Sequence, residues 1–255
     1  MTAAIIPGAE AWSHLASAPG APGALVVHGF TGNPSSMRGM AEAFAADGFH
    51  VELPRLPGHG TSIDEMVPTR WADWFGEAEA AYRRLAARAP AVVAIGLSMG
   101  GAIVLRLALD HPEMAGVVAV NPAAQPQADE VVAGLQSLID GGLEVMDGIG
   151  GDIADPDATE SSYPGTPLRA LRSLLDEGVG PSAQRYVSAT VPLLLLTSPN
   201  DHVVDPAQSA YLAGAWGGAV ERVSLERSFH VATLDYDKQL IIDSALAFAH
   251  KVAAR

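Results

Sequence analysis

The sequence predicts an α/β fold, a mostly parallel sheet with helices on both faces. Three observations carry this. Short apolar runs recur, separated by stretches of helical periodicity. Several of the runs are apolar at consecutive positions, as strands covered on both faces are. The chain of 255 residues, 49% hydrophobic, has the length and the apolar content for one large core.

In chain order, "ALVVHG" (24–29) reads as a buried strand, and "SSMRGMAEAFAADG" (35–48) as a helix ended by Gly48. "HVELPRL" (50–56) is a second strand, stopped by proline, and 71–88 an amphipathic helix. "AVVAIGL" (91–97) is a third strand, followed by a helix over 101–112 that Pro112 stops. "GVVAV" (116–120), "PLLLLTS" (192–198) and "AVERVSL" (219–225) are further strands. Helices are expected near 206–213 and from about 236 to 253. Crossovers of this kind are right-handed.

Residues 122–187 break the rhythm. They are rich in Gly and acid, and no Lys or Arg occurs between Arg106 and Arg169. A structureless loop of that length is uncommon inside a compact domain. The expectation is a small helical cap over 122–187, inserted in a core made of 1–121 and 188–255.

Composition narrows the partners. A net charge of −14 disfavours nucleic acid and anionic membrane surfaces. Without cysteine, neither a disulfide framework nor a thiolate metal site is available. No apolar run suggests a transmembrane helix or stable membrane insertion, and "MTAAIIPGAEAW" has no signal-peptide pattern. A cytoplasmic protein is expected.

The chemistry starts at "GLSMGG" (96–101). Ser98 lies in G-x-S-x-G between a strand and a helix, the arrangement of a strained turn that presents a nucleophile. The helix N-terminus behind it favours any anion formed there. Serine needs a base, and proteins with this elbow place an acid and then a histidine further along the chain. Asp201, just beyond strand 192–198, and His230, just beyond strand 219–225, satisfy that order at the sheet edge where such folds carry ligands. Asp205 reads better as a helix cap, and Asp235 comes after the histidine. His14, His50, His111, His202 and His250 lack the context or the order, and His28 and His59 suit buried structural roles. Oxyanion donors are expected from the backbone N–H groups of Met99 and of Phe30 in "HGFTG". Leu143, Val145, Met146 and Ile149 are candidates for an acyl-binding wall or, equally, for the cap's own core.

Taken together, "VVHGFTG", "LPRLPGHGTS", "GLSMGG", "NDHVVDP" and "SFHVATLDYD" resemble the α/β-hydrolase family, and within it the bacterial monoacylglycerol lipases and small carboxylesterases. The resemblance implies an α/β-hydrolase fold, a Ser98–Asp201–His230 triad, a mobile cap, no cofactor, and a small ester or monoacylglycerol as substrate. It implies cleavage of short to medium acyl esters through an acyl-enzyme on Ser98. Pro164 in "YPGTP" stands where those lipases carry a glutamate that holds glycerol, so weak glycerol recognition is expected, with Glu160 the nearest substitute acid. A C–C bond hydrolase, a lactonase or a cofactor-free perhydrolase would use the same triad, and a non-catalytic ligand-binding protein is the reading from another class.

Overall fold

The computed structural model describes residues 3–254. In chain order its elements are β1 (Trp12–His14), β2 (Gly23–Val27), α1 (Arg38–Ala46), β3 (His50–Leu53), α2 (Ile63–Met66), α3 (Trp71–Ala86), β4 (Val92–Leu97), α4 (Met99–Asp110) and β5 (Gly116–Val120). There follow α5 (Asp129–Asp140), β6 (Val145–Asp147), β7 (Gly165–Pro167), α6 (Leu168–Ser173) and α7 (Gly180–Ala183). The chain ends with β8 (Leu193–Thr197), α8 (Ala207–Ala215), β9 (Val220–Ser224) and α9 (Lys238–Ala253).

Seven strands form one sheet in the order β1-β3-β2-β4-β5-β8-β9. All neighbours run parallel except β1, which pairs antiparallel with β3. Every residue of β2, β4 and β5 is buried, which is why these strands read as unbroken apolar runs. The period of two still sorts their side chains. Leu25, Ala94, Val117 and Leu195 face α3 and α4, while Val26, Ile95, Val118 and Leu194 face α1 and α9.

In the core, β1 and α2 are three and four residues long, too short to show a period in the sequence. The helix expected from 101 starts at Met99 instead, directly after Ser98. Ser98 has φ 55°, a left-handed conformation in a non-glycine residue. The turn closes so tightly that a Cβ at Gly96 would lie 2.1 Å from the Gly100 carbonyl oxygen, and one at Gly100 2.3 Å from that of Val27. Both contacts are with backbone, which has no rotamer to yield. Gly96→Ala is therefore expected to cost about 3 kcal/mol or more of stability, read from the denaturant midpoint; an unchanged midpoint would contradict this elbow geometry.

Residues 122–187 lie between β5 and β8, on the carboxyl side of the sheet's central strands. They hold α5, the antiparallel hairpin β6–β7, α6, a π-helical turn over Leu174–Val179, and α7. The expectation was helical; the hairpin, with strands of three residues, is an addition. Between its strands, 148–164 has no regular structure. It is tied to the core by hydrogen bonds from Asn33 Nδ2 to the Ser161 carbonyl (2.6 Å) and from the Tyr163 N–H to the Thr31 carbonyl (3.0 Å). Among the described residues no helix is long and apolar enough to cross a membrane.

Beneath the loop that follows β2, His28 and His59 are fully buried with their rings edge to face, centroids 5.0 Å apart. His28 Nε2 accepts the Leu56 N–H (3.2 Å), and each Nδ1–H donates to a carbonyl, Gly29 for His28 and Pro57 for His59. Burial, which disfavours the charged ring, is the main cause that lowers the pKa of His28 to about 3 and of His59 to about 4. The unfolded chain takes up these protons near 6.5, so the stability this pair contributes is present above that pH and is lost as pH falls toward 4 and then 3. Unfolding free energy is expected to drop by about 2 kcal/mol per histidine from pH 7 to pH 5. Equal values at the two pHs would show that the pair is not held neutral.

Candidate active site

Ser98, Asp201 and His230 come from the ends of three strands. Ser98 follows β4, Asp201 follows β8, and His230 follows β9 after a short loop. His230 Nδ1–H donates to Asp201 Oδ2 at 2.7 Å, both side chains being almost fully buried. Asp201 Oδ1 accepts the N–H groups of Val203 and Val204, each at 2.8 Å. Its carboxylate is thus oriented by its own turn and presents one oxygen to the imidazole. Ser98 and His230 share the walls of one small cavity with Phe30 and Glu160.

The rival residues are engaged elsewhere. Asp205 Oδ1 accepts the Ala207 N–H (2.8 Å) at the start of α8, as a cap does. His111 lies between Glu79 and Glu113, His250 pairs with Asp47, and His50 Nδ1 accepts the Ala16 N–H. His202, exposed, pairs with Asp152.

The loop Gly29–Phe30 runs beside the elbow, since a Cβ on Gly29 would sit 3.5 Å from that of Ser98. The N–H of Met99 is in the first turn of α4, where the helix supplies no carbonyl partner. The Phe30 ring packs edge to face on Trp74 and His59.

From Ser98 a cavity of about 610 Å3 opens beneath α5, walled by Leu135, Leu138, Ile149, Leu171 and Leu174, with Val203 and Val204 on the core side. Of the four residues expected to form this wall, Met146 and Ile149 do so and Leu143 and Val145 do not. Leu143 is 43% exposed beyond the end of α5. Val145 belongs to β6, where successive side chains take opposite faces; with Met146 toward the cavity, Val145 packs toward Gly165.

On the alcohol side, Pro164 is exposed and lines neither cavity. Glu160 lines the small cavity instead. Its Oε2 accepts the Gly151 N–H at 2.9 Å. Burial raises the pKa of this carboxyl, opposed by the Gly151 hydrogen bond, the neighbouring His230 and the Ser162 hydroxyl.

Sequence reasoning missed Asn121 and Asp152. Asn121, at the end of β5 with φ 43°, is buried. Its Nδ2 donates to the His230 carbonyl (2.9 Å) and the Ser198 hydroxyl (3.0 Å), and its Oδ1 accepts the Ser198 N–H (2.8 Å). Neither residue belongs to a motif; for Asn121 the sequence offered an asparagine directly after the apolar run 116–120, and for Asp152 it offered no sign.

A parallel sheet with a left-handed serine at its central elbow, and a histidine–aspartate pair at the same edge, defines the α/β hydrolases, and the chain belongs to that family. The family model for the α/β-hydrolase fold matches residues 25–144. Among known proteins it is similar to a thermostable monoacylglycerol lipase of Bacillus sp. (strain H-257), 40% identical over 235 residues, 91% of each chain. A carboxylesterase of Bacillus subtilis (strain 168) is 23% identical over 89% of this chain and 92% of its own. A solved structure from work on the metagenome-derived lipolytic enzymes LipS and LipT superposes with a TM-score of 0.90 at 38% identity, over 97% of this chain and all of the other.

Proposed function

We propose that this protein hydrolyses carboxylic esters of short to medium acyl chains, monoacylglycerols among them, through an acyl-enzyme on Ser98. The observation that carries the reading is the 2.7 Å bond from His230 to Asp201 beside a strained Ser98 at the mouth of an apolar cavity. The likeness to a monoacylglycerol lipase and a carboxylesterase supports it.

In this reading His230 Nε2 takes the Ser98 proton as the hydroxyl oxygen attacks the ester carbonyl. Asp201 keeps the proton of the ring on Nδ1 and stabilises the imidazolium. The N–H groups of Phe30 and Met99 receive the oxyanion. The imidazolium then protonates the leaving alcohol, and water activated by the same ring releases the acid. The acyl chain lies against Leu135, Met146, Ile149 and Leu174, each added methylene contributing about 0.8 kcal/mol until the cavity is filled. Residues 122–187 act as the cap over it, and three chains of a triacylglycerol do not fit beneath. No step calls for a cofactor, and the reaction is assigned to the cytoplasm.

A panel of p-nitrophenyl esters of graded chain length tests the reading. A burst of one equivalent followed by steady turnover, peaking at short or medium chains, is expected; no burst and no turnover on any carboxylic ester would overturn it.

Glu160 is assigned to the alcohol. A hydrogen bond to a charged group contributes about 1.5–3 kcal/mol. The specificity constant for a medium-chain monoacylglycerol is therefore expected to exceed that for its methyl ester by about tenfold or more, and Glu160→Ala to erase the difference. A ratio near one in the wild type would remove Glu160 from glycerol recognition and leave the ester reading standing.

A further inference from the structure

Two carboxylates lock the irregular stretch 148–164 to the loops that carry Asp201 and His230. Asp152 Oδ2 accepts the N–H of His202 and the N–H of His230, each at 3.1 Å, and its Oδ1 lies 2.8 Å from His202 Nδ1. One carboxylate thus bridges the residue after Asp201 to His230 itself. Its own backbone carbonyl accepts the Val231 N–H at 3.0 Å. Asp235, completely buried, reaches the other way. Its Oδ2 accepts the N–H groups of Ala154 (2.8 Å) and Phe229 (2.9 Å), and its Oδ1 those of Asp155 (3.0 Å) and Tyr236 (2.8 Å). Each carboxylate therefore holds backbone from the other's side of the junction.

The consequence falls on His230. Its N–H is held by Asp152 and its carbonyl by Asn121 Nδ2. With both backbone groups pinned, only the side-chain torsions remain to place the ring. No ladder continues between the loops after β8 and β9. Besides the His230–Asp201 bond, Ser198 Oγ donates to the Phe229 carbonyl (2.9 Å) and Asn121 joins Ser198 to the His230 carbonyl, while Asp152 is the acceptor that holds the backbone N–H groups of both His202 and His230. Hydrogen bonds to an ionised acceptor are stronger than neutral ones. Burial works against the Asp152 charge, but the hydrogen bonds from His202 and His230 hold its carboxyl below the usual range, so the acceptor is ionised at neutral pH.

We propose that Asp152 is a positioning residue for the His230–Asp201 pair, and that Asp152 and Asp235 form a reciprocal clasp through which residues 150–155 set the register of the two loops. The proposal rests on the catalytic reading of that pair given above. It also implies that these residues do not swing aside when substrate enters, because withdrawing them would free the His230 backbone; any opening of the acyl cavity is left to α5 and α6.

The test compares Asp152→Ala with Asp152→Asn in the full chain. The amide keeps an oxygen that can accept both backbone N–H groups, whereas alanine keeps none. Misplacement of a catalytic group by about 1 Å costs on the order of a hundredfold. Asp152→Ala is expected to lower kcat on a p-nitrophenyl ester about a hundredfold with KM within threefold of the wild type. Asp152→Asn should recover kcat to within about fivefold. Hydrogen exchange at the His202 and His230 amides should quicken in the alanine variant by tenfold or more and stay slow in the asparagine variant. Exchange is read whether or not the protein turns over an ester. If the wild type neither cleaves esters nor is labelled at Ser98, the functional reading fails while exchange still judges the clasp. Wild-type exchange in Asp152→Ala, a loss in KM alone, or equal loss of kcat in both variants would overturn the proposal. Should Asp152→Ala not fold, Asp152→Ser, whose shorter side chain does not span both amides, is measured in its place.

Discussion

Ser98→Ala is expected to leave the fold intact and to lower ester turnover by about a millionfold, the usual consequence of removing a triad nucleophile. Alanine fits because it removes one half-buried oxygen and leaves the backbone, where the φ of 55° and the close approach of Gly96 and Gly100 are set, untouched. The left-handed strain is shared by both residues, so the thermal midpoint should move little. Turnover collapses because no other hydroxyl occupies that point at the end of β4. A serine-directed phosphonate should add one mass equivalent to the wild type and none to the variant. Equal labelling of both proteins would place the nucleophile elsewhere.

Asp201→Asn is expected to cost about ten-thousandfold in kcat, again with little change in stability. The geometry explains the separation of the two effects. An asparagine retains Oδ1 for the Val203 and Val204 N–H groups, so the turn after β8 survives. Its amide nitrogen then occupies the place of Oδ2, 2.7 Å from His230 Nδ1. Two donors cannot face each other, so the ring moves its proton to Nε2 and loses the lone pair that must take the serine proton. Asp205→Asn is the control, because its carboxylate serves only the first turn of α8 and the substitution should leave kcat within a few-fold. A larger loss at Asp205 than at Asp201 would reverse the assignment.

Legibility in the sequence followed burial and length. β2, β4, β5 and β8 were readable because a strand covered on both faces has no polar position to interrupt it. α3 and α9, each of sixteen residues, showed a full helical period. β1, α2 and the β6–β7 hairpin passed unread because three or four residues carry no period. Asp201 and His230 stood out by chain order at strand ends, and they are the pair the structure joins.

By itself the sequence determined the fold class, the elbow at Ser98 and the choice of acid and histidine, since each depends on local chemistry: continuous apolar runs, glycines flanking a serine, polar residues just past a strand. What only the tertiary structure decided lies in the stretch 148–164. That segment has no periodicity, and its path is set by hydrogen bonds to Thr31, Asn33, His202 and His230, residues distant in the chain. It turns Glu160 toward the reacting centre and leaves Pro164 in solvent. It also puts Asp152 against the His230 backbone, and in the adjoining hairpin Met146 against the cavity and Val145 away from it. Such choices arise from contacts across the fold, which no single window of residues contains.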